Sequence, residues 1–311
     1  MTTSENQSLD VEQAVRQRYS AASKDTEPSL CCPVDYNTDL LQVLPEEIIQ
    51  RDYGCGNPSK YVSEGETVLD LGSGAGKICF IASQIVGPQG RVHGVDMNRD
   101  MLALADQYHQ EIAGRIGWHN VQFHRGRIQD LALNLDRFDA FLGEQTIADS
   151  QQFQAALNHA EMLRQQSPMI ESGSIDVVLS NCVLNLVAPQ DRQQLFQELY
   201  RVLKTGGRAV ISDIVCDQPV PVHLQQDEQL WSGCISGAHV ENEFLQAFAD
   251  EGFDQIEMIE RQSKPWTVVE GIEFRSMTVR AHKGSKKGVA APVNLTILPG
   301  AEDCCSDGGC C

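Results

Sequence analysis

The chain has 311 residues, with 43 Asp and Glu against 24 Lys and Arg and a formal charge of −19. That length holds one large domain or two modest ones, and so acidic a balance argues against nucleic acid or an acidic membrane surface as partner, because either needs a basic patch. The first fifteen residues lack a signal-peptide pattern, and no run of about eighteen apolar residues marks a membrane span. The eleven cysteines of such a soluble, cytoplasmic chain read as thiols for metal, metalloid or redox work rather than as a disulfide framework.

Two short helices are expected from "VEQAVRQRYSAAS" and "DLLQVLPEEIIQRD", flanking "SLCCPVDYN" with its Cys31 and Cys32 pair. A compact core pattern then begins with strand 67–71, the glycine loop "DLGSGAG", helix "KICFIASQIVG", strand 91–96 and helix "RDMLALADQYHQEIAGRIG". Two strand-helix units in a row imply a parallel sheet with right-handed crossovers. A third strand is expected over 121–126, followed by a mostly polar helical insertion over about 132–172 and a fourth strand, "IDVVLSN". The helix "DRQQLFQELYRVLK" should stop at Gly206 and Gly207, ahead of strand "RAVISDIV". Further on, "LWSGCISGAHVENEFLQAFADEGF" reads as helices and "QIEMIE" and "FRSMTVRA" as strands. The last residues read as a linker and a tail too small and polar to build a core.

The glycine loop sits between strand and helix, where tight turning and close backbone approach to a ligand both call for glycine. Asp96, at the end of the next strand, is placed to hold the two hydroxyls of a ribose. Asp70 ahead of the glycines, and the offset of the third glycine, fit a dinucleotide's pyrophosphate poorly. At the tip of the fourth strand stands Cys182, where a thiol is either small core filling or chemistry. Cys79 and Cys216 read as core, and His119 and His124 as surface residues.

The stretches "VLDLGSGAG", "VHGVDM", "RGRIQDL" and "LYRVLKTGGRAVISD" resemble the successive motifs of class I S-adenosylmethionine-dependent methyltransferases. The resemblance implies an α/β, Rossmann-like, mostly parallel sheet with S-adenosylmethionine as methyl donor. It sets Gly72 and Gly74 toward the methionine moiety, Asp96 toward the ribose, and Met97 and Ile128 toward the adenine, with Asp70, Ser73, Arg127 and Asn181 also in the donor site. Soft thiolates select soft metalloids, and three of them suit a trivalent pyramidal centre that keeps a lone pair. "RDYGCGNP", "SNCVLNL", "LWSGCISGA" and the "CCP" pair together resemble the arsenite S-adenosylmethionine methyltransferases, and the tail "CCSDGGCC" and the long insertion resemble an arsenosugar-associated subgroup. Gly233 departs from the family, many of whose members have an acid there.

That resemblance makes Cys182 and Cys234 the principal arsenic ligands, with Cys55 and one of Cys31 or Cys32 as partner thiols able to pair as a disulfide during turnover. Tyr53 is implied to lie against the donor near its sulfonium. Cys304, Cys305, Cys310 and Cys311 read as candidate auxiliary sites, for arsenite capture or for general metal sequestration. The implied organisation is an N-terminal helical, thiol-bearing segment (1–60), a donor-binding domain (61–215), a smaller C-terminal α+β region that completes the arsenic site (216–282), and the linker and tail (283–311). A monomer is expected, with trivalent arsenic arriving as a thiol conjugate and thioredoxin or glutathione as reductant. Two other readings stay open: a class I methyltransferase of a small organic acceptor with structural cysteines, and a non-catalytic thiol-rich metalloid-binding protein.

Overall fold

The computed structural model describes residues 9–27, 30 and 34–284. Cys31, Cys32 and the four tail cysteines lie outside the described residues. The chain opens with α1 (Val11–Ala22), whose N-cap Asp10 accepts from the Gln13 amide, followed by α2 (Thr38–Leu41) and α3 (Glu46–Gln50). The single helix expected over "DLLQVLPEEIIQRD" is split in two, because Pro45 has no N–H to donate and its ring excludes helical backbone before it.

The core alternates β1 (Thr67–Leu71), α4 (Lys77–Val86), β2 (Arg91–Asp96), α5 (Arg99–Ile116) and β3 (Val121–Arg125). The insertion follows as a helical hairpin, α6 (Leu135–Gly143) and α7 (Ser150–Gln166). It packs around its own small core of Leu133, Ala160 and Leu163. Its feet are tied to each other, with Met169 N donating to Ala132 O and Ile170 N to Leu131 O, both at 2.9 Å.

The chain returns to the sheet as β4 (Ile175–Asn181), then α8 (Arg192–Val202) and β5 (Leu203–Cys216). Here Gly206 and Gly207 do not stop the helix, as expected from sequence, but lie inside the strand. The register jumps from Ile175↔Leu203 to Val177↔Arg208. Gly206 takes up the extra chain at φ 82°, and a Cβ on Gly207 would sit 2.9 Å from Asp176 O, so the pair forms a bulge that only glycine fits. The C-terminal region adds α9 (Val222–Gln225), α10 (Glu228–Ser232), the two-residue β6 (His239–Val240), α11 (Glu241–Asp250), β7 (Asp254–Arg261), β8 (Thr267–Val269) and β9 (Ile272–His282).

All strands form one sheet of order β3-β2-β1-β4-β5-β9-β7, with β6 on β5 and β8 on β9. The first five are parallel, and β9 runs antiparallel between β5 and β7. Successive side chains of β1 serve opposite faces: Val68 packs with α4 on one side, Leu69 and Leu71 with α8 and α11 on the other. This is the expected α/β architecture. Because β1 and β4 are neighbours whose crossovers leave in opposite directions, a crevice opens at their carboxyl ends, the usual ligand site of such sheets. Among the described residues no helix is long and apolar enough to cross a membrane.

Candidate active site

The crevice is lined by Tyr53, Asp70, Gly72, Ser73, Gly74, Asp96, Met97, Ile128 and Asn181. Of the donor-site residues expected from sequence only Arg127 points elsewhere, to a half-exposed ion pair with Glu12 of α1 at 2.8 Å. Asp96 accepts from the Gly74 amide at 2.9 Å and the Asn98 amide at 2.8 Å, which ties the glycine loop to the end of β2. Asp70 is buried beneath the loop and accepts from the Cys79 thiol at 3.3 Å; burial pushes its carboxyl up to about 8. Lys77 is almost fully buried at the start of α4, pairs with Asp52 at 3.0 Å and stands 4.0 Å over the Tyr36 ring. Opposite charges thus stand side by side at one end of the crevice.

Three thiols from three distant segments meet beside it: Cys55, Cys182 and Cys234 are 4 %, 5 % and 3 % exposed. Cys182, just past β4, and Cys234, just past α10, both have left-handed backbone, at φ 64° and 62°. That conformation costs a non-glycine residue about 1–2 kcal/mol, and it turns both thiols inward. The Cys234 thiol donates to Cys182 O at 3.0 Å. Hydrogen bonds with Cys234 and Cys55, together with burial, hold the Cys182 thiol well above its ordinary pKa, and burial pushes the Cys55 thiol up as well.

Cys55 reaches this place because its neighbours have no side chains. A Cβ on Gly54 would fall 1.9 Å from Asn181 Nδ2, and one on Gly56 would fall 2.6 Å from Ser212 Oγ. Asn181 clamps the loop, its Oδ1 accepting from the Cys55 and Gly56 amides at 2.9 and 3.0 Å and its Nδ2 donating to Gly56 O at 2.8 Å. Residue 181 therefore positions one thiol while residue 182 supplies another.

Sequence reasoning missed Asp213. One of its carboxylate oxygens and the Cys182 and Cys234 sulfurs all lie within 4.8 Å of one another. Its carboxyl accepts from Leu184 N and Asn185 Nδ2 at 2.9 and 2.8 Å, fixing the turn after Cys182, and burial raises it to about 7. The signal was present in "AVISDIV": an acid inside an apolar strand is costly unless partnered. Lys77 was a similar signal, since a cation at a helix N-terminus opposes the helix dipole and needs a local anion. Cys79 and Cys216 are wholly buried, as expected. His119 is exposed as expected, but His124 is not a surface residue: it is half-buried and stacks on His93, ring centroids 5.3 Å apart, and burial followed by His93 lowers it to about 4.

A family model described as a methyltransferase domain matches residues 62–170 and 163–252. An arsenite methyltransferase of Aquipseudomonas alcaligenes is 32 % identical over 92 % of this chain and 71 % of its own length. One from Halobacterium salinarum is 38 % identical over 76 % of this chain, and one from Homo sapiens 33 % identical over 80 %. The chain spans 50 % and 59 % of those two proteins. Among solved structures, CrArsM, an arsenic(III) S-adenosylmethionine methyltransferase from Chlamydomonas reinhardtii, superposes with a TM-score of 0.63 at 28 % identity, covering 82 % of this chain and 75 % of that one.

Proposed function

The chain belongs to the arsenite methyltransferases, and on that premise we propose that it transfers methyl groups from S-adenosylmethionine to trivalent arsenic held by Cys55, Cys182 and Cys234. The observation that carries this reading is the convergence of three buried thiols at the tip of β4, beside the crevice under the glycine loop. The donor supplies a sulfonium-activated methyl group. Asp96 is placed to hold the ribose, Met97 and Ile128 the adenine, and the Asp52 and Lys77 pair a zwitterionic amino-acid head.

Arsenic entering as a thiol conjugate exchanges onto the enzyme's thiols, whose protons leave with the displaced carrier thiols. Its lone pair then forms the As–C bond as the donor's C–S bond breaks toward sulfur. Arsenic has no proton to lose, so no general base is needed at the attacking atom; the protein contributes alignment and a dry site. Arsenic is oxidised by two electrons in the step, and an external dithiol such as thioredoxin, or glutathione, restores the trivalent state and the thiols. Cys31 or Cys32 is the partner of Cys55 in that exchange, and the enzyme acts as a monomer.

The test is product analysis with purified protein, donor and either arsenite or monomethylarsenite. Cys182→Ser and Cys234→Ser should lose both methylations, because serine offers a harder and far less acidic ligand. Cys55→Ser should lose the first and keep part of the second, since a methyl group already occupies one arsenic valence. A folded Cys182→Ser enzyme working at the wild-type rate would sink the proposal.

A further inference from the structure

The carboxylate of Asp213 is wholly buried and held by N–H donors on both of its oxygens. Oδ1 accepts from Ile214 N and Asn185 Nδ2, both at 2.8 Å, and Oδ2 from Leu184 N at 2.9 Å and Asn185 N at 3.3 Å. All of these partners are donors, which favours the carboxylate over the acid.

Behind it the hydrogen bonds run on in one direction. Asn185 Oδ1 meets His239 Nδ1 at 3.2 Å, and His239 Nε2 meets Arg192 Nη1 at 3.4 Å. The two ends fix every proton between them, because a guanidinium can only donate and a carboxylate can only accept. His239 must therefore accept at Nε2 and donate from Nδ1, with the Asn185 oxygen facing the ring. Burial, followed by Arg192, lowers the imidazole to about 3, so the ring is neutral. The result is a polarised chain with its positive end at Arg192 and its negative end against the thiols.

Fixing the turn after Cys182 needs only an acceptor, which a neutral amide oxygen also supplies. A full negative charge beside thiols works against thiolate formation, so its use lies in a later step. When the methyl group moves, the donor's C–S bond breaks toward sulfur and the arsenic lone pair forms the As–C bond. The positive charge thereby leaves the sulfonium and arrives on arsenic. One Asp213 oxygen lies within 4.8 Å of both the Cys182 and the Cys234 sulfur, close enough for its field to act on an atom that they hold.

We propose that Asp213 is the counter-charge for arsenic in the methyl-transfer step, and that Asn185, His239 and Arg192 position it as an anion. The inference rests on the reading that the thiols hold arsenic. Its attraction is stronger in the transition state than in the neutral, thiol-bound ground state, so it accelerates transfer without tightening capture.

The experiment separates capture from transfer. The full chain is loaded with arsenite, retention is measured by equilibrium dialysis, and a saturating pulse of S-adenosylmethionine then gives the single-turnover rate of methylated product. The pH is held above the value of about 7 to which burial raises the Asp213 carboxyl. Asp213→Asn, an amide of the same shape, should retain arsenite at least as well as wild-type and transfer about a hundredfold more slowly. His239→Leu breaks the chain while keeping an apolar side chain in place, and should slow transfer by about tenfold with retention intact. His239→Gln, which can accept from Arg192 and donate to Asn185, should hold the wild-type rate. A folded Asp213→Asn protein that transfers at the wild-type rate, or loses retention in parallel with transfer, would overturn the proposal. Should Asp213→Asn not fold, the His239 pair decides, and equal rates in its two variants would overturn it. Wild-type protein that retains no arsenite, or yields no methylated arsenic, would overturn the underlying reading and the inference with it.

Discussion

Cys182 and Cys234 each occupy a backbone conformation that glycine adopts freely and cysteine only at a cost, so the protein is less stable for having side chains there. Substitution can separate the two effects. Cys182→Ala removes the sulfur but keeps the strained Cβ, whereas Cys182→Gly removes both. Both variants should lose methylation of arsenite. In urea denaturation the glycine variant should nevertheless match or exceed the alanine variant by about 1 kcal/mol, the left-handed penalty less the extra chain entropy of glycine. A glycine variant less stable than the alanine one would show that the backbone is unstrained.

At the scale of elements, the loop 54–56 and the end of β4 are joined through Asn181. Asn181→Ala should release the Cys55 loop while leaving Cys182 and Cys234 in place. The first methylation should slow by about tenfold or more, since several hydrogen bonds of about 1 kcal/mol each are lost, and the second should be less affected. Product analysis on arsenite and monomethylarsenite checks this. Strands β2 and β3 carry a second coupling, the His93 and His124 stack. The unfolded imidazole of His124 titrates near 6.5 and the folded one near 4, so between those values the unfolded chain binds the extra proton. The stability it contributes is present above pH 6.5 and is lost as the pH falls toward 4. His124→Gln should flatten that part of the stability profile, as measured by denaturation at stepped pH. The strands 67–71, 91–96 and 175–181 were legible in the sequence to the residue, because buried parallel strands are short apolar runs between turn signals. The glycines of β5 were misjudged because a bulge is set by the neighbouring strand, and β6 and β8 were missed because two or three residues carry no period. Among the residues that line the crevice, the glycine loop and Asp96 were visible because their geometry is local. Asp213 beside the thiols, and Lys77 with Asp52 in the crevice, are brought together only by contacts between distant segments, which spacing along the chain does not reveal.

For the molecule as a whole, the proposed arsenic ligands Cys55, Cys182 and Cys234 all precede the last segment in the chain, so removing 301–311 should leave turnover at saturating arsenite nearly intact and reduce it when arsenite is scarce. Rates of the truncated chain across arsenite concentrations check this, and loss of methylation at every concentration would place the tail in the transfer machinery. The hairpin of α6 and α7 bears on the architecture in another way. Because its feet are hydrogen-bonded to each other at Leu131–Ala132 and Met169–Ile170, it is a side branch of the polypeptide: the main path would run on from one foot to the other if the branch were not there. Loop-closure entropy grows only slowly with length, so the branch can be lengthened at its outer turn with little effect on the sheet. The exposed turn between the two helices, residues 144–149, is accordingly a port. A fluorescent protein spliced into it would ride as a passenger, reporting where the enzyme is without touching what it does.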